Sequence, residues 1–340
     1  GELGNQEVPG NPTINESGLN EQFANYAIGG SSISTGAKIN TIGNPNLRWE
    51  TSKTTNIGAE FGFFESRLYA SLEWYIITTD GLIAQDLTIV PTTGPDALAP
   101  YVNLGEIENR GIDFALGFAD VTDSGFSYGI DFNLSHYKNE VISLASAFQV
   151  GDRTDRSGFV TRTEPGRSIS EFYGQKVIGL DDNGRLLYED LDNNGIINAE
   201  DRQYIGSPHP DFTYGLNLRL GYAGFDLSAF FTGSEGNEIY NYTKVYTDFP
   251  TFFDGNRSTR LLNSWTPSNT NTRIPALSNS AAINNLETDP NSYYVEDGSY
   301  FRLKNLQIGY SLSDSVVDKI GMDALRIYVQ GTNIFTITDY

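Results

Sequence analysis

Apolar and polar residues alternate with a period of two along much of the chain. In the segment 66–79, Leu72 and Trp74 fall on one face of an extended strand and Glu73 falls on the other. The same alternation predicts eight strands, at 46–63, 66–79, 112–118, 126–134, 212–222, 225–233, 300–312 and 324–335. Each is about as long as the 9–11 residues that a tilted strand needs to cross a membrane. The pattern therefore predicts an all-β antiparallel fold.

The connections between these strands alternate between short and long. Short turns are expected near Glu65, at 121–124, at Ala223 and Gly224, and at 313–323, and long polar connections at 8–45, 80–105, 139–210 and 234–298. Strand alternation alone also fits a soluble sandwich. Outer-membrane barrels, however, combine brief periplasmic turns with long external loops. We therefore expect a transmembrane β-barrel whose long connections are extracellular.

The alternation also assigns the two faces of the expected barrel wall. The residues expected to face lipid are Leu72, Phe114, Ile130, Leu218 and Ile327. The residues expected to face inward are Glu73, Asp113, Asp131, Arg219 and Gln330. Asn133 and Asn217 also fall on the inward face, where they could line a passage or form hydrogen bonds within the wall.

Composition narrows the classes of function. The chain has 43 Asp and Glu against 22 Lys and Arg, which gives a net charge of −21 and makes nucleic acid an unfavourable ligand. Its 20 Phe, 20 Tyr and 35 Gly are typical of strands and turns. It has no Cys, so disulfides and thiol chemistry are excluded. No run of about 18 apolar residues predicts a membrane-spanning helix.

Catalytic patterns are missing from the sequence. His136 and His209 are the only histidines, and no nucleophile-elbow, Walker-type or dinucleotide-binding pattern occurs. His209 lies between Pro208 and Pro210, which favours a rigid turn over a general base. We therefore expect that the protein is not an enzyme.

One segment carries the pattern of a metal site. Residues 190–201, DLDNNGIINAED, match the calcium-loop pattern D-x-[DN]-x-[DN]-G-x5-E except at the last position, where Asp replaces Glu. The expected ligands are side-chain oxygens of Asp190, Asp192, Asn194, Asn198 and Asp201 and the backbone carbonyl of Ile196. The alternative is a polar turn without metal, because Asp reaches less far than Glu and no EF-hand helices flank the loop. The pattern favours Ca²⁺.

Several longer stretches resemble the SusC/RagA family of TonB-dependent outer-membrane transporters, in the order in which that family carries them. They are GNQE (4–7), the segment 44–64, NLGEIENRGIDFAL (103–116), the segment 190–218, SWTPSNTNTRIPAL (264–277), VEDGSYFRLKNLQIGYSLS (295–313) and RIYVQGTNIFTITDY (326–340). Together these stretches span nearly the whole chain. The resemblance is therefore specific to the family.

The resemblance implies that residues 1–340 are the C-terminal part of a larger barrel of about 22 strands. Family members are roughly three times longer, so a signal peptide, a plug domain and a final strand pair are expected outside this chain. The remainder of the same barrel should then cover the exposed edges of the sheet.

The implied function is import of oligosaccharides or peptides across the bacterial outer membrane. The implied partners are TonB, acting through the plug, a SusD-like surface lipoprotein, and membrane lipid. Two other functions remain open from the sequence: a passive porin or scaffold barrel, and a secreted calcium-dependent carbohydrate-binding β-protein.

Overall fold

The computed structural model describes residues 42–85, 100–145, 147, 149–151, 153–154, 157–249, 255–277 and 287–340, and the backbone of four short strands before residue 42. The sequence landmark at 4–7 and parts of the connections 8–45 and 80–105 lie outside the described residues. No described helix is long and apolar enough to cross a membrane.

One antiparallel sheet of eight strands dominates the fold. Its strands are β1 (Thr51–Phe63), β2 (Leu68–Asp80), β3 (Gly105–Val121), β4 (Ser127–Leu144), β5 (Phe212–Tyr222), β6 (Phe225–Glu235), β7 (Tyr300–Ser311) and β8 (Arg326–Thr338). Neighbours in sequence are neighbours in the sheet, so the order runs from β1 to β8 without a crossover. Each strand overlaps one segment in which the sequence alternates.

The register of the sheet places the apolar and polar residues on opposite faces. Leu72 pairs with Phe114, and Ile130 pairs with Leu218, so these four apolar residues share one face. The residues expected to point inward share the other face, where Glu73 pairs with Asp113. Apolar side chains remain exposed along the sheet, as with Ile57 at 66% and Val329 at 76% exposure. Such exposure is the pattern of a wall whose apolar face meets lipid.

Glycines on the polar face make room for aromatic rings from the neighbouring strand. A β-carbon at Gly117 would lie 2.0 Å from the ring of Tyr69, its cross-strand partner. A β-carbon at Gly111 would lie 2.6 Å from the hydroxyl of Tyr75. The two rings therefore lie flat along the wall and cover the backbone of β3.

The sheet is open. β1 and β8 are its edge strands, and neither pairs with the other within the described residues. A free edge of thirteen residues on each side is a template for further strand pairing. Within the described residues the sheet is not closed into a barrel, and the expectation that the chain is a segment of a larger barrel stays a prediction.

Short turns join the strand pairs at one end of the sheet. Phe64, Glu65 and Ser66 all have positive φ values, of 55°, 58° and 65°, in the turn between β1 and β2. Ala223 and Gly224 form the two-residue turn between β5 and β6, with φ values of 48° and 86°. Asp314–Val317 is an α-helical turn and Asp318–Ile320 a 3₁₀ turn between β7 and β8.

β3 and β4 extend further than the alternation predicts. Their sequence-predicted limits were 112–118 and 126–134, whereas the strands reach residues 105 and 144. The added pairs include polar and apolar residues: Arg110 contacts Glu140 at 3.3 Å on the neighbouring strand, whereas Ile107 pairs with the fully buried Val141. Neighbouring segments cover parts of these extensions, where Asn139 and Val141 are buried and the Val141 N–H donates to the Arg167 carbonyl at 2.8 Å. Apolar and polar residues need not alternate there, so the sequence pattern fades before the strand ends.

The long connections 145–211 and 236–299 contain short strands and turns of their own. The short strands here and in the other connections are Glu16–Leu19, Asn25–Ile28, Ser32–Thr35, Ala37–Thr41, Ile83–Gln85, Tyr101–Asn103, Gln149–Val150, Arg153–Thr154, Gly158–Phe159, Thr161–Thr163, Glu171–Gln175, Val177–Leu180, Leu186–Tyr188, Arg202–Gly206, Glu238–Tyr240 and Val295–Asp297. The helical turns are Lys244–Thr247, Ala199–Asp201, Thr259–Asn263 and Ser292–Tyr294.

These two connections pack together into one unit, which we call the loop module. Gln175 bridges to Asn291, and its backbone N–H donates to the Pro290 carbonyl at 2.8 Å. The core of the module is formed by Leu186, Tyr188, Val245, Phe249 and Tyr294. It lies at the end of the sheet opposite the short turns. The connections that the sequence predicted as long polar loops are therefore folded around a hydrophobic cluster.

Candidate metal site and the loop module

The segment 190–201 folds as a compact loop between two short strands. Asn193 and Gly195 adopt left-handed backbone conformations, with φ values of 58° and 81°. Gly195 has no neighbouring atom within 4 Å of a β-carbon position, so the conformation itself explains glycine there. The loop ends in the 3₁₀ turn Ala199–Asp201, and no long helix flanks it.

Three carboxylates converge in this loop. Oxygens of Asp190, Asp192 and Asp201 all lie within 4.8 Å of one another, and Asp201 is fully buried. Asp190 accepts hydrogen bonds from the backbone N–H of Gly195 at 2.8 Å and of Asn194 at 3.3 Å. The Gly195 N–H above all lowers the pKa of the Asp190 carboxyl.

The three other expected ligands hold the loop together. The Asn194 side-chain oxygen accepts from the Ile196 N–H at 2.7 Å, and its amide donates to Asp192 at 2.7 Å. The Asn198 side-chain oxygen caps the 3₁₀ turn by accepting from the Glu200 N–H at 2.7 Å. Its amide donates to the Ile196 carbonyl at 3.4 Å. The structure thus gives Asn198 a capping role that the calcium-loop pattern does not anticipate.

The chemistry of the donor set fits calcium. All converging groups are hard oxygen donors, and three carboxylates at this separation repel one another unless a cation compensates their charge. Asp201, at the closing position, accepts from the backbone N–H groups of Leu191 at 2.9 Å and Asn198 at 2.8 Å. These two bonds fix the orientation of the Asp201 carboxylate.

The loop 190–201 is tied directly to the rest of the module. The Gln175 side-chain amide donates to the Asn198 carbonyl at 3.0 Å, and Gln175 is almost fully buried. Gln175 also bridges to Asn291, so it joins the loop to the contact between the two long connections.

The two histidines have structural roles. His209 accepts or donates at both ring nitrogens, with Tyr137 Oη at 3.2 Å and the Ile169 carbonyl at 2.9 Å. His136 contacts the Asp211 carbonyl through Nδ1. Both rings are therefore engaged in holding the loop module against the end of the sheet.

On the inward face of the sheet, the residues proposed to line a passage form a small polar cluster. Arg219 contacts Asp131 at 2.7 Å, and Tyr69 donates to the same carboxylate at 3.0 Å. Asn217 donates to Asp131 at 3.4 Å. The cluster is exposed on the polar face and is internally paired, which fits a hydrogen-bonded interior wall.

A second network, inside the loop module, could not be found from the sequence. Asp248 is buried and contacts Arg260 at 3.2 Å, and Tyr293 donates to Asp248 at 2.7 Å. Lys244, also buried, contacts Glu296 at 2.6 Å. The members are spread from residue 244 to residue 296 along a connection with no periodic pattern, so only the fold brings them together. Burial lowers the pKa of Lys244, although Glu296 acts in the opposite direction.

The loop module also contains a buried carboxyl group that should make the stability of the module depend on pH. Burial raises the pKa of Glu287 from 4.5 to about 7. Because the folded-state pKa is raised, the folded module binds the proton more tightly than the unfolded chain, and its stability falls as pH rises from 4.5 towards 7. We expect the free energy of unfolding of the module to fall by roughly 3 kcal/mol as the pH rises through this range.

The replacement Glu287→Gln should remove this pH dependence, since an amide cannot ionise. The change in stability would be measured from the hydrogen-exchange protection factors of Leu186 and Tyr188, compared below pH 4.5 and above pH 7. The matched control is Glu235→Gln, at an exposed carboxyl. Equal pH dependence in wild type and Glu287→Gln would contradict the role of this carboxyl.

Comparison with known proteins places the chain in a family. Residues 11–334 match the sequence model of a family described as TonB dependent receptor-like, beta-barrel. The chain belongs to this family. It is 34% identical to TonB-dependent receptor P3 of Formosa agariphila over 97% of the chain, and 26% identical to TonB-dependent receptor SusC of Bacteroides thetaiotaomicron over 95% of the chain. These relatives are named as receptors and not as enzymes.

The fold agrees with that of a solved transporter of the same type. The structure of the RagAB peptide transporter matches with a TM-score of 0.81 and 25% identity over 100% of the chain. The match covers 36% of that chain, and the P3 match covers 34% of P3, so this chain spans about a third of the length of its relatives. The expectation of a SusC/RagA-type TonB-dependent receptor in the bacterial outer membrane is thereby confirmed.

Proposed function

We propose that this chain supplies part of the wall and the external loops of an energised importer for oligosaccharides or peptides. The observation that carries the proposal is the division of the chain into an amphipathic eight-stranded wall and a folded loop module at one end of it. A wall needs only to separate lipid from a polar interior. A loop module with its own core offers a shaped surface for cargo and for a partner.

The two implied protein partners have distinct roles in this proposal. A SusD-like surface lipoprotein closes over the loop module and captures the cargo there. TonB, acting through the plug of the same polypeptide, supplies the energy for release inward. The polar face that contains Asp131 and Arg219 then borders the path of the cargo.

Uptake by intact cells tests the proposal. Accumulation of labelled nutrients should require the receptor, TonB and the SusD-like lipoprotein, because each acts at a different stage. The control is a strain that lacks only TonB and retains a normal amount of receptor in the outer membrane. Undiminished uptake in that strain would identify a passive porin instead.

We further propose that the loop 190–201 holds one Ca²⁺ ion, with the carboxylates of Asp190, Asp192 and Asp201 as its main ligands. The convergence of these three groups supports the proposal. An ion there would offset their mutual repulsion and fix the loop against Gln175. Sites of this kind in extracellular modules need only bind with a dissociation constant of about 10⁻⁴ to 10⁻³ M.

Calcium should protect the loop from proteolysis, and Asp192→Ala should remove the protection. Asp192 is chosen because it is exposed and its loss leaves the buried Asp201 in place. The measurement is a calcium titration of the intact protein, followed by limited proteolysis within 180–205. The control is Asp182→Ala, an exposed acidic residue nearby that lies outside the cluster. Protection that is independent of calcium, or that persists in Asp192→Ala, would leave only a polar turn.

A further inference from the structure

One cavity of the loop module lies between parts of the two long connections. It has a volume of 570 Å³ and is lined by Val177–Leu180 from the first connection and by residues between 244 and 296 from the second. The Val177 N–H donates to the Ser292 hydroxyl at 2.8 Å, which joins the two sides. We call this space the hairpin cavity, after the hairpin that Val177–Leu180 forms with Leu186–Tyr188. Its volume falls within the range of about 300–1,000 Å³ that is usual for small-ligand sites.

Both strands that line the hairpin cavity have an edge without a strand partner. Within the described residues, Val177–Leu180 pairs only with Leu186–Tyr188, and Val295–Asp297 pairs only with Glu238–Tyr240. A free strand edge presents backbone N–H and C=O groups to which an extended peptide binds as an added strand. An oligosaccharide has no backbone amides that would continue a sheet. The geometry therefore favours a peptide as ligand.

The charged side chains around the cavity leave one cation without a carboxylate partner. Among the described residues, Lys244, Arg260 and Arg273 line the cavity, against the carboxylate of Glu296. Glu296 contacts Lys244 at 2.6 Å, and the buried Asp248 contacts Arg260 at 3.2 Å, so two carboxylates compensate these two cations. Arg273 is exposed, and none of the described residues forms an ion pair with it. One positive charge therefore remains for a ligand.

Aliphatic side chains form much of the remaining lining. They are Val177, Ile178, Leu180, Ile274 and Val295. Ile178 is 55% exposed, so a ligand that covers it removes apolar surface from water. Together with the single uncompensated cation, this lining fits a ligand that carries one negative charge next to an apolar group. The last residue of a peptide has this combination when its side chain is apolar.

We propose that the hairpin cavity binds the C-terminal end of a short peptide whose last side chain is apolar. The terminal carboxylate contacts Arg273, and the peptide backbone pairs with the free edge of Val177–Leu180. The last side chain packs against Ile274 and Val295. The inference deepens the proposed import function by naming peptides as the cargo, and it rests on that function only in that the bound peptide is cargo.

Isothermal titration of the intact protein in detergent tests the cavity directly. The probes are acetylated alanyl-alanyl-leucine with a free carboxylate, its C-terminal amide, the same acid N-methylated at every backbone amide, and a neutral cello-oligosaccharide. We expect the free acid to bind with an affinity that falls as salt increases. The amide, which lacks the charge, and the N-methylated acid, which cannot pair with a strand edge, should each bind at least about tenfold more weakly. The oligosaccharide should bind more weakly than the free acid.

Substitutions locate the contact with the carboxylate. Arg273→Gln should weaken binding of the acid about tenfold and leave binding of the amide unchanged, so that the preference for the acid disappears. Arg273→Lys keeps the charge and should retain most of the preference. The matched control is Arg185→Gln, an exposed arginine of the same hairpin that does not line the cavity and should leave the preference unchanged.

Four results would each overturn the inference. They are equal affinity for the acid and the amide, equal affinity for the acid and its N-methylated form, tighter binding of the oligosaccharide than of the acid, and binding of no probe. Equal effects of Arg273→Gln and Arg185→Gln on the preference for the acid would also overturn it.

The titration and the uptake experiment fail independently. A protein that binds the acid in the hairpin cavity but shows no TonB-dependent uptake of peptides would contradict import and leave the cavity established as a peptide site. A protein that imports another nutrient but does not bind the acid would contradict the cavity assignment alone.

Discussion

An arginine in place of Leu218 should lower the free energy of unfolding of the wall by about 2–4 kcal/mol. Leu218 lies on the apolar face of β5 between Ile130 and Ala229, its partners on the two neighbouring strands. A guanidinium at that position would have to enter the hydrocarbon layer or distort the strand to reach water. The measurement is urea-induced unfolding of the protein in lipid vesicles.

The matched control is Asn217→Arg, one residue away on the opposite face. Asn217 is paired with Asp131 across the strand, so an arginine there gains a nearby carboxylate and meets a polar interior. The Asn217→Arg substitution should lower the free energy of unfolding by much less than Leu218→Arg does. Equal costs at the two positions would mean that both faces meet water, which contradicts a membrane wall.

The wall could be predicted from the sequence because its constraint is local. Lipid on one face and water on the other require alternate side chains to differ, and Leu72, Glu73 and Trp74 already show this in three consecutive positions. The strand limits could not be predicted as well. Beyond the membrane this requirement ends, so the continuation of β3 and β4 through Arg110 and Glu140 shows no regular alternation of apolar and polar residues.

The candidate site was predictable to the extent that its residues are close in sequence. Asp190, Asp192 and Asp201 lie within one twelve-residue pattern, and the structure brings their carboxylates together. The cap formed by Asn198 was missed, because the same residue type serves a metal or a helical turn equally well.

Tyr294→Ala should unfold the loop module locally while it leaves the wall intact. Tyr294 has no exposed surface and packs against Tyr240, Phe249 and Tyr293, with ring centroids 5.5, 6.1 and 5.6 Å away. Its hydroxyl donates to the Glu287 carbonyl at 2.5 Å. Removal of the ring leaves a cavity at the centre of the core. We expect this cavity to lower the free energy of unfolding of the loop module by about 3–5 kcal/mol.

Hydrogen exchange separates the contribution of the ring from that of the hydroxyl. Tyr294→Phe keeps the ring and should lower the free energy of unfolding of the module by only about 1 kcal/mol. The control Leu262→Ala, at a side chain with 92% exposure in the same module, should lower it by less than about 0.5 kcal/mol. In Tyr294→Ala, protection should fall at Leu186, Tyr188 and Val245 by more than a hundredfold and stay unchanged in β5. Because these residues come from both long connections, loss of protection on one side only would contradict a single shared core.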